Sequence, residues 1–182
     1  MTGEIRPHGE WTTRVIDPDA MHDLGVRLGA VLQAGDLVIL TGPLGAGKTT
    51  LTRGIGDGLG VRGPVTSPTF VLARTHPSLG EGPPLVHVDA YRLADAVEAD
   101  DLDLDFDGSV VVAEWGAGLI AERESWIELV IERPTGGEDL ESTPPESEAT
   151  SDSEEWEAEL VEARTVTIIA HGDRWQNGVL TQ

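Results

Sequence analysis

One eight-residue run restricts this chain more than any other part of it. Gly42-Pro43-Leu44-Gly45-Ala46-Gly47-Lys48-Thr49 meets the pattern G-x-x-x-x-G-K-[ST] at every fixed position. Glycines let such a backbone curl until successive N–H groups point inward at anionic oxygens. A helix opening near Lys48 adds its positive end. The motif therefore demands a strand before it and a helix after it. Leu37–Leu40 is a continuous apolar run, too short for a helix and suited to a strand buried on both faces. Beyond the loop, Leu51, Ile55 and Leu59 recur at a spacing of four, which predicts a helix. Gly54, Gly56 and Gly58 each weaken that helix by up to about 1 kcal/mol relative to alanine, so packing must hold it.

In a chain with 22 glycines a glycine-rich turn is the bland alternative. The flanking strand and helix argue against it, and so does lysine usage. Twelve residues are Lys or Arg, yet Lys48 is the only lysine. A compact ammonium on a flexible stem is needed at that point where a wide planar guanidinium is not. The loop reads as a cradle for the phosphates of ATP, with Lys48 reaching the β- and γ-phosphates and the Thr49 hydroxyl ligating Mg²⁺.

The remaining elements follow from periodicity. Arg14–Ile16 reads as a short strand, and Asp17-Pro18 as an N-cap with proline at the first helical position. Met21, Leu24, Leu28 and Val31 form one apolar helix face, which Gly35 closes. Phe70–Arg74, Leu85–Val88, Val110–Ala113, Trp126–Ile131 and Thr165–Ile169 have strand character. The expected fold class is α/β: a P-loop NTPase fold with a mostly parallel central sheet, antiparallel edge strands and flanking helices. The 182 residues fit a single domain, 1–182. Residues 134–160, rich in Pro, Ser, Thr and Glu, are too poor in apolar residues to pack and read as a disordered acidic insertion between two strands. Asp95–Asp107 reads as a solvated acidic helix and loop.

Composition narrows the function classes. There is no cysteine, so disulfides, thiolate metal sites and sulfur redox chemistry are excluded. No segment approaches the roughly 18 consecutive apolar residues of a membrane span, and the start carries no apolar leader, so a cytoplasmic location is expected. The net charge is −21, and about half of it falls in residues 134–163. The rest is still acidic, and such a surface disfavours unaided binding to a nucleic acid.

Phosphoryl chemistry also needs a carboxylate at the end of a neighbouring apolar strand. Asp89 after Leu85-Val86-His87-Val88 and Glu114 after Val110-Val111-Val112-Ala113 are the candidates, and for each a solvated strand end is the alternative. The set formed by Gly42–Thr50, Thr66-Ser67-Pro68-Thr69-Phe70, His87-Val88-Asp89-Ala90-Tyr91-Arg92-Leu93 and Glu114-Trp115 resembles the TsaE (YjeE) family. That family is the ATPase subunit of the bacterial machinery making threonylcarbamoyladenosine in tRNA. The likeness covers roughly residues 14–133, with Thr165–Trp175 similar to the family's closing strand.

The resemblance implies a Mg²⁺-dependent ATPase that supports threonylcarbamoyl transfer to a tRNA adenosine, working with TsaD- and TsaB-type partners and meeting tRNA only indirectly. It implies Lys48, Asp89 and Glu114 as catalytic, with Thr49 and Glu114 on the metal and Asp89 positioning water. Gly42, Leu44, Gly45, Ala46, Gly47, Lys48, Thr49 and Thr50 would hold nucleotide, together with Ser67 and Thr69 in a loop sensing the γ-phosphate and Trp115 beside it. His87, Tyr91 and Arg92 fit the signature without an assigned role, and Arg92 is the one arginine in it that could act in cis. In one respect the chain departs from the family: Gly116-Ala117-Gly118 follows Glu114-Trp115, where the family often has a proline and a further acid.

Two other readings stay open. A small-molecule P-loop kinase would need basic lid residues, whereas Ala94–Ser109 holds seven acids and no base. A nucleotide-gated assembly factor without steady turnover shares every motif. A GTPase is excluded, because its N/T-K-x-D needs a second lysine.

Overall fold

Four of the apolar runs lie side by side and parallel at the centre of a seven-stranded sheet. The computed structural model describes residues 7–68, 71–93, 102–116, 124–134 and 162–175. In chain order its elements are β1 (Pro7–Val15), α1 (Pro18–Val31), β2 (Leu37–Thr41), α2 (Lys48–Leu59), β3 (Ala73–His76), β4 (Leu85–Asp89), β5 (Val110–Glu114), β6 (Trp126–Glu132) and β7 (Arg164–His171). Single 3₁₀ turns occupy Ala90–Arg92 and Asp173–Trp175. The sheet order is β1-β7-β6-β2-β5-β4-β3.

β6, β2, β5 and β4 run parallel, while β1 on β7, β7 on β6 and β3 on β4 are antiparallel. Half of the pairings are thus antiparallel, so the sheet as a whole is mixed while its central four strands are parallel, as expected. Both edges are closed by antiparallel strands, as expected. No described helix is long and apolar enough to cross a membrane.

α1 begins where Asp17 accepts a hydrogen bond from the Ala20 N–H at 2.7 Å, and Pro18 occupies the first turn, where no N–H is needed. Met21, Leu24 and Leu28 are buried on the face the spacing marked. α1 and α2 lie on the same side of the sheet and share one core with Val38, Leu40, Val112 and Leu129. Helices flank the sheet as expected, and both described α-helices cover one face. The opposite face packs Leu37, Ile39, Val88, Val111 and Ala113 against Leu93 and the half-buried Leu102, Leu104 and Phe106. Leu102–Phe106 falls inside the acidic stretch expected to be solvated. Its aspartates are exposed, but every second residue is apolar and faces the sheet.

The glycines of α2 have a packing role. A Cβ at Gly54 would strike the His22 carbonyl oxygen and the Gly25 Cα, and one at Gly58 the Val26 carbonyl and the Gly29 Cα. On α1, Gly25 and Gly29 are just as tightly set against the Leu51 and Ile55 carbonyls. The two helices touch backbone to backbone, which offsets the poor helix propensity.

Two strand starts differ from the sequence expectation by more than a residue. β1 reaches back to Pro7 because it is an edge strand paired only with β7, so its outer residues carry little apolar signal. β3 starts at Ala73, not Phe70, after Leu72 adopts a left-handed φ of 59°. Residues 135–160 of the expected insertion lie outside the described residues.

Candidate functional site

The loop leaves the C-terminal end of the buried strand β2 and re-enters the fold as α2. Gly47, the residue before α2, has φ 108°, a conformation that suits glycine, and it caps the helix without a side chain. The α2 N-terminus is thereby left open to an anion. Lys48 is almost fully buried, at 5% exposure, and its Nζ donates to the Gly42 and Pro43 carbonyls at 2.9 and 3.0 Å. Burial pushes its ammonium below the ordinary lysine pKa, against the pull of the Glu114 and Asp89 carboxylates.

The parallel pairing of β4 with β5 puts Asp89 directly beside Glu114 at the same sheet end as the loop. Thr49 Oγ1 donates to Glu114 Oε1 at 3.3 Å, and His87 Nε2 lies 2.9 Å from the same oxygen. Asp89 accepts from the Tyr91 N–H at 3.2 Å, which starts the 3₁₀ turn. Trp115 follows Glu114 in a left-handed conformation, φ 61°, and its N–H donates to the Leu40 carbonyl at 2.9 Å. That turn lays its ring under Lys48 Nζ, 4.1 Å from the ring centroid, with the Tyr91 ring 5.6 Å away.

These groups line a cleft of about 650 Å³. Leu44, Gly45, Gly47, Lys48, Thr49, Thr50, Ser67, Asp89, Glu114 and Trp115 all border it, so most of the residues the sequence singled out converge. Gly42 sits behind the loop against Ile131, and Ala46 is buried beneath it. Thr69 lies outside the described residues, as does the Arg92 side chain. Among the described residues no three of His, Asp and Glu gather as a metal-holding group.

Across the loop lies a second cleft of about 190 Å³, bordered by Asp17, Met21, Ala46, Thr50, Arg133 and Arg164. Sequence reasoning did not find it, since it joins segments distant in the chain. It also gave no role to His87 and Tyr91. A histidine inside an otherwise apolar strand, two residues before Asp89 and so on the same face, was the available signal for the first.

Comparison with known proteins decides the family. The model for "Threonylcarbamoyl adenosine biosynthesis protein TsaE" matches residues 15–138. The chain belongs to the TsaE family. A Streptomyces coelicolor protein named tRNA threonylcarbamoyladenosine biosynthesis protein TsaE is 53% identical over 85% of this chain and 93% of its own length. A Bacillus subtilis protein of that name is 38% identical over 71% of this chain and 82% of its own. The crystal structure of Bacillus subtilis YdiB superposes with a TM-score of 0.61 at 25% identity, covering 96% of this chain and 93% of that one. In this TsaE family member the cleft lies at the ends of three adjacent parallel strands, β2, β5 and β4.

Proposed function

We propose that this TsaE family member, with a P-loop NTPase fold, is a cytoplasmic Mg²⁺-dependent ATPase that supports threonylcarbamoylation of a tRNA adenosine as a subunit of a complex with TsaD- and TsaB-type proteins. The observation that carries the reading is the Thr49–Glu114 contact beside the chain's single lysine. Two neighbouring strands and a helix start bring a hydroxyl, two carboxylates and an ammonium to one cleft.

The donor set fits Mg²⁺. It offers hard oxygens only, and few of them, so the ion would keep water and phosphate ligands, as this cation prefers. Thr49 and Glu114 would hold it. Bound there, the ion would neutralise charge on the phosphates and polarise them. Lys48 would leave its two carbonyls for the β- and γ-phosphates, while the loop N–H groups orient the chain of phosphates. Asp89, beside Glu114, would hold the attacking water by accepting its hydrogen bond. Ser67 and Thr69 would contact the γ-phosphate, Trp115 would sit beside the nucleotide, and the second cleft, where Pro18 and Met21 are among the lining residues, would take the base.

Slow turnover by the isolated chain is the expectation if Arg92 does not act in cis, since the first cleft's lining includes no other arginine among the described residues. An arginine supplied to such a site contributes roughly 10³–10⁵ in rate. With a net charge of −21 the chain would leave tRNA capture to its partners. Calorimetry and steady phosphate release test the reading together. Lys48→Ala and Lys48→Arg should lose ATP binding, and partners should raise the wild-type turnover. Near-wild-type affinity in Lys48→Ala would refute the nucleotide site. Turnover indifferent to partners, or tight tRNA binding by the chain alone in a low-salt gel shift, would refute the division of labour.

A further inference from the structure

His87 is fully buried in the middle of β4, and nothing in packing alone calls for an imidazole there. Alternation along the strand puts Leu85, His87 and Asp89 on the face that α2 covers. On the neighbouring strand His87 is opposite Val112, one strand-face step short of Glu114. From that diagonal position its Nε2 comes within 2.9 Å of Glu114 Oε1, while Nδ1 has no hydrogen-bond partner among the described residues. These facts fix the tautomer. A buried N–H without an acceptor costs more than a bare ring nitrogen in the same place, and a carboxylate oxygen accepts but cannot donate. The proton therefore sits on Nε2 and points at Glu114.

Thr49 Oγ1 donates to the same carboxylate oxygen. Both bonds use Oε1, which leaves Oε2 as the oxygen available to a ligand. A glutamate has three rotatable bonds and would otherwise sample several orientations at a strand end. Two donors on one oxygen, one of them locked inside the sheet-helix layer, hold the carboxylate in one orientation. Asp89, the other acid of the pair, has its bond from the Tyr91 N–H but none from an imidazole.

We propose that His87 is a positioning residue, whose Nε2–H anchors Glu114 Oε1 so that Oε2 is presented to the cation shared with Thr49. This rests on the metal reading above and adds to it the group that sets the ligand's geometry. Donors behind a metal ligand commonly matter this way, and losing one typically costs about 10- to 100-fold in metal affinity.

The experiment titrates Mg²⁺ into the full-length chain loaded with ADP, followed by calorimetry, for wild type, His87→Leu, His87→Gln and Glu114→Gln. Leucine fills the space without a donor, and glutamine keeps an N–H. The expected result is Mg²⁺ uptake weakened by about 10- to 100-fold in His87→Leu, with most of it recovered in His87→Gln. ADP affinity measured without Mg²⁺ should stay near wild type in both. Wild-type Mg²⁺ uptake by His87→Leu, or no difference between Leu and Gln, overturns the proposal. Undiminished uptake by Glu114→Gln instead removes the metal reading itself, and this proposal with it. If the leucine variant does not fold, nitrogen NMR of the wild-type imidazole decides. A proton on Nε2 supports the anchor, and a proton on Nδ1 overturns it.

Discussion

Lys48 and Trp115 are held face to ammonium, with Nζ 4.1 Å from the ring centroid, and the same Nζ bonds two loop carbonyls. A cation over an indole is worth about 0.5–2 kcal/mol, so the resting position of Lys48 is well defined. Phosphate would draw the ammonium off the ring. Tryptophan emission should therefore change on adding ADP, and Trp115→Phe should remove that change. Lys48→Met should show an altered starting spectrum and no response. An unaltered wild-type spectrum at saturating ADP would contradict the contact's role.

On the proposed function, Asp89→Asn and Glu114→Gln should keep much of the nucleotide affinity and lose hydrolysis, because they remove charge where the metal would be held rather than from the loop. Phosphate release in the presence of the partner proteins, beside calorimetric affinities, separates the two effects. Full activity in both variants would place the chemistry elsewhere.

Gly54→Val should destabilise the protein strongly, since its Cβ would meet backbone atoms of α1 that cannot move aside. Overpacking of this kind costs about 1–3 kcal/mol or more, and each kcal/mol lowers the melting temperature by about 2–4 °C at this chain length. Gly80→Ala is the control, because a Cβ there meets nothing within 4 Å. Equal melting temperatures for the two variants would mean the helices are not in backbone contact.

His76 should give the protein an acid-side weakness. Burial holds its pKa below the ordinary histidine value, helped by His87 and Arg74 and opposed by a backbone hydrogen bond to Arg62. The unfolded chain then takes up the proton first. The contribution of His76 is fully present above the unfolded pKa of about 6.5 and is lost as the pH falls through that value toward the folded one. Asp36 works in the opposite sense at lower pH, because burial raises its pKa despite Arg174 and the Gln33 N–H. Urea unfolding of wild type and His76→Leu at neutral and mildly acidic pH checks the first effect. Wild type should lose more stability on acidification than His76→Leu, and an equal loss in the two would count against it.

Much of this arrangement was legible beforehand because it is local. The loop carries its own signature, β2 and α2 announce themselves on either side, and Asp89 and Glu114 stand at the ends of apolar runs. What escaped was set by contacts between distant segments. The length of β1 comes from β7, a partner some 150 residues away in the chain, and not from its own pattern. The backbone contact of α1 with α2 makes sense of four glycines that propensity counts only as defects. Leu102, Leu104 and Phe106 were hidden among aspartates, where net charge outweighed a two-residue alternation. His87 needed the β4–β5 register before its partner could be named.

The pairing of β1 with β7 has a topological consequence. Pro7 is in register with His171, so the two described ends of the chain lie side by side on one edge of the sheet. The joint between β6 and β7 connects antiparallel neighbours whose register holds through Glu132 and Thr165. Lengthening such a joint costs little, about 0.6 kcal/mol per doubling. The sheet asks of that joint only that it bring Glu132 beside Thr165. Joined at its present ends and opened between 134 and 162, a circular permutant should rebuild the same sheet, with the Gly42–Thr49 loop near the middle of the new chain.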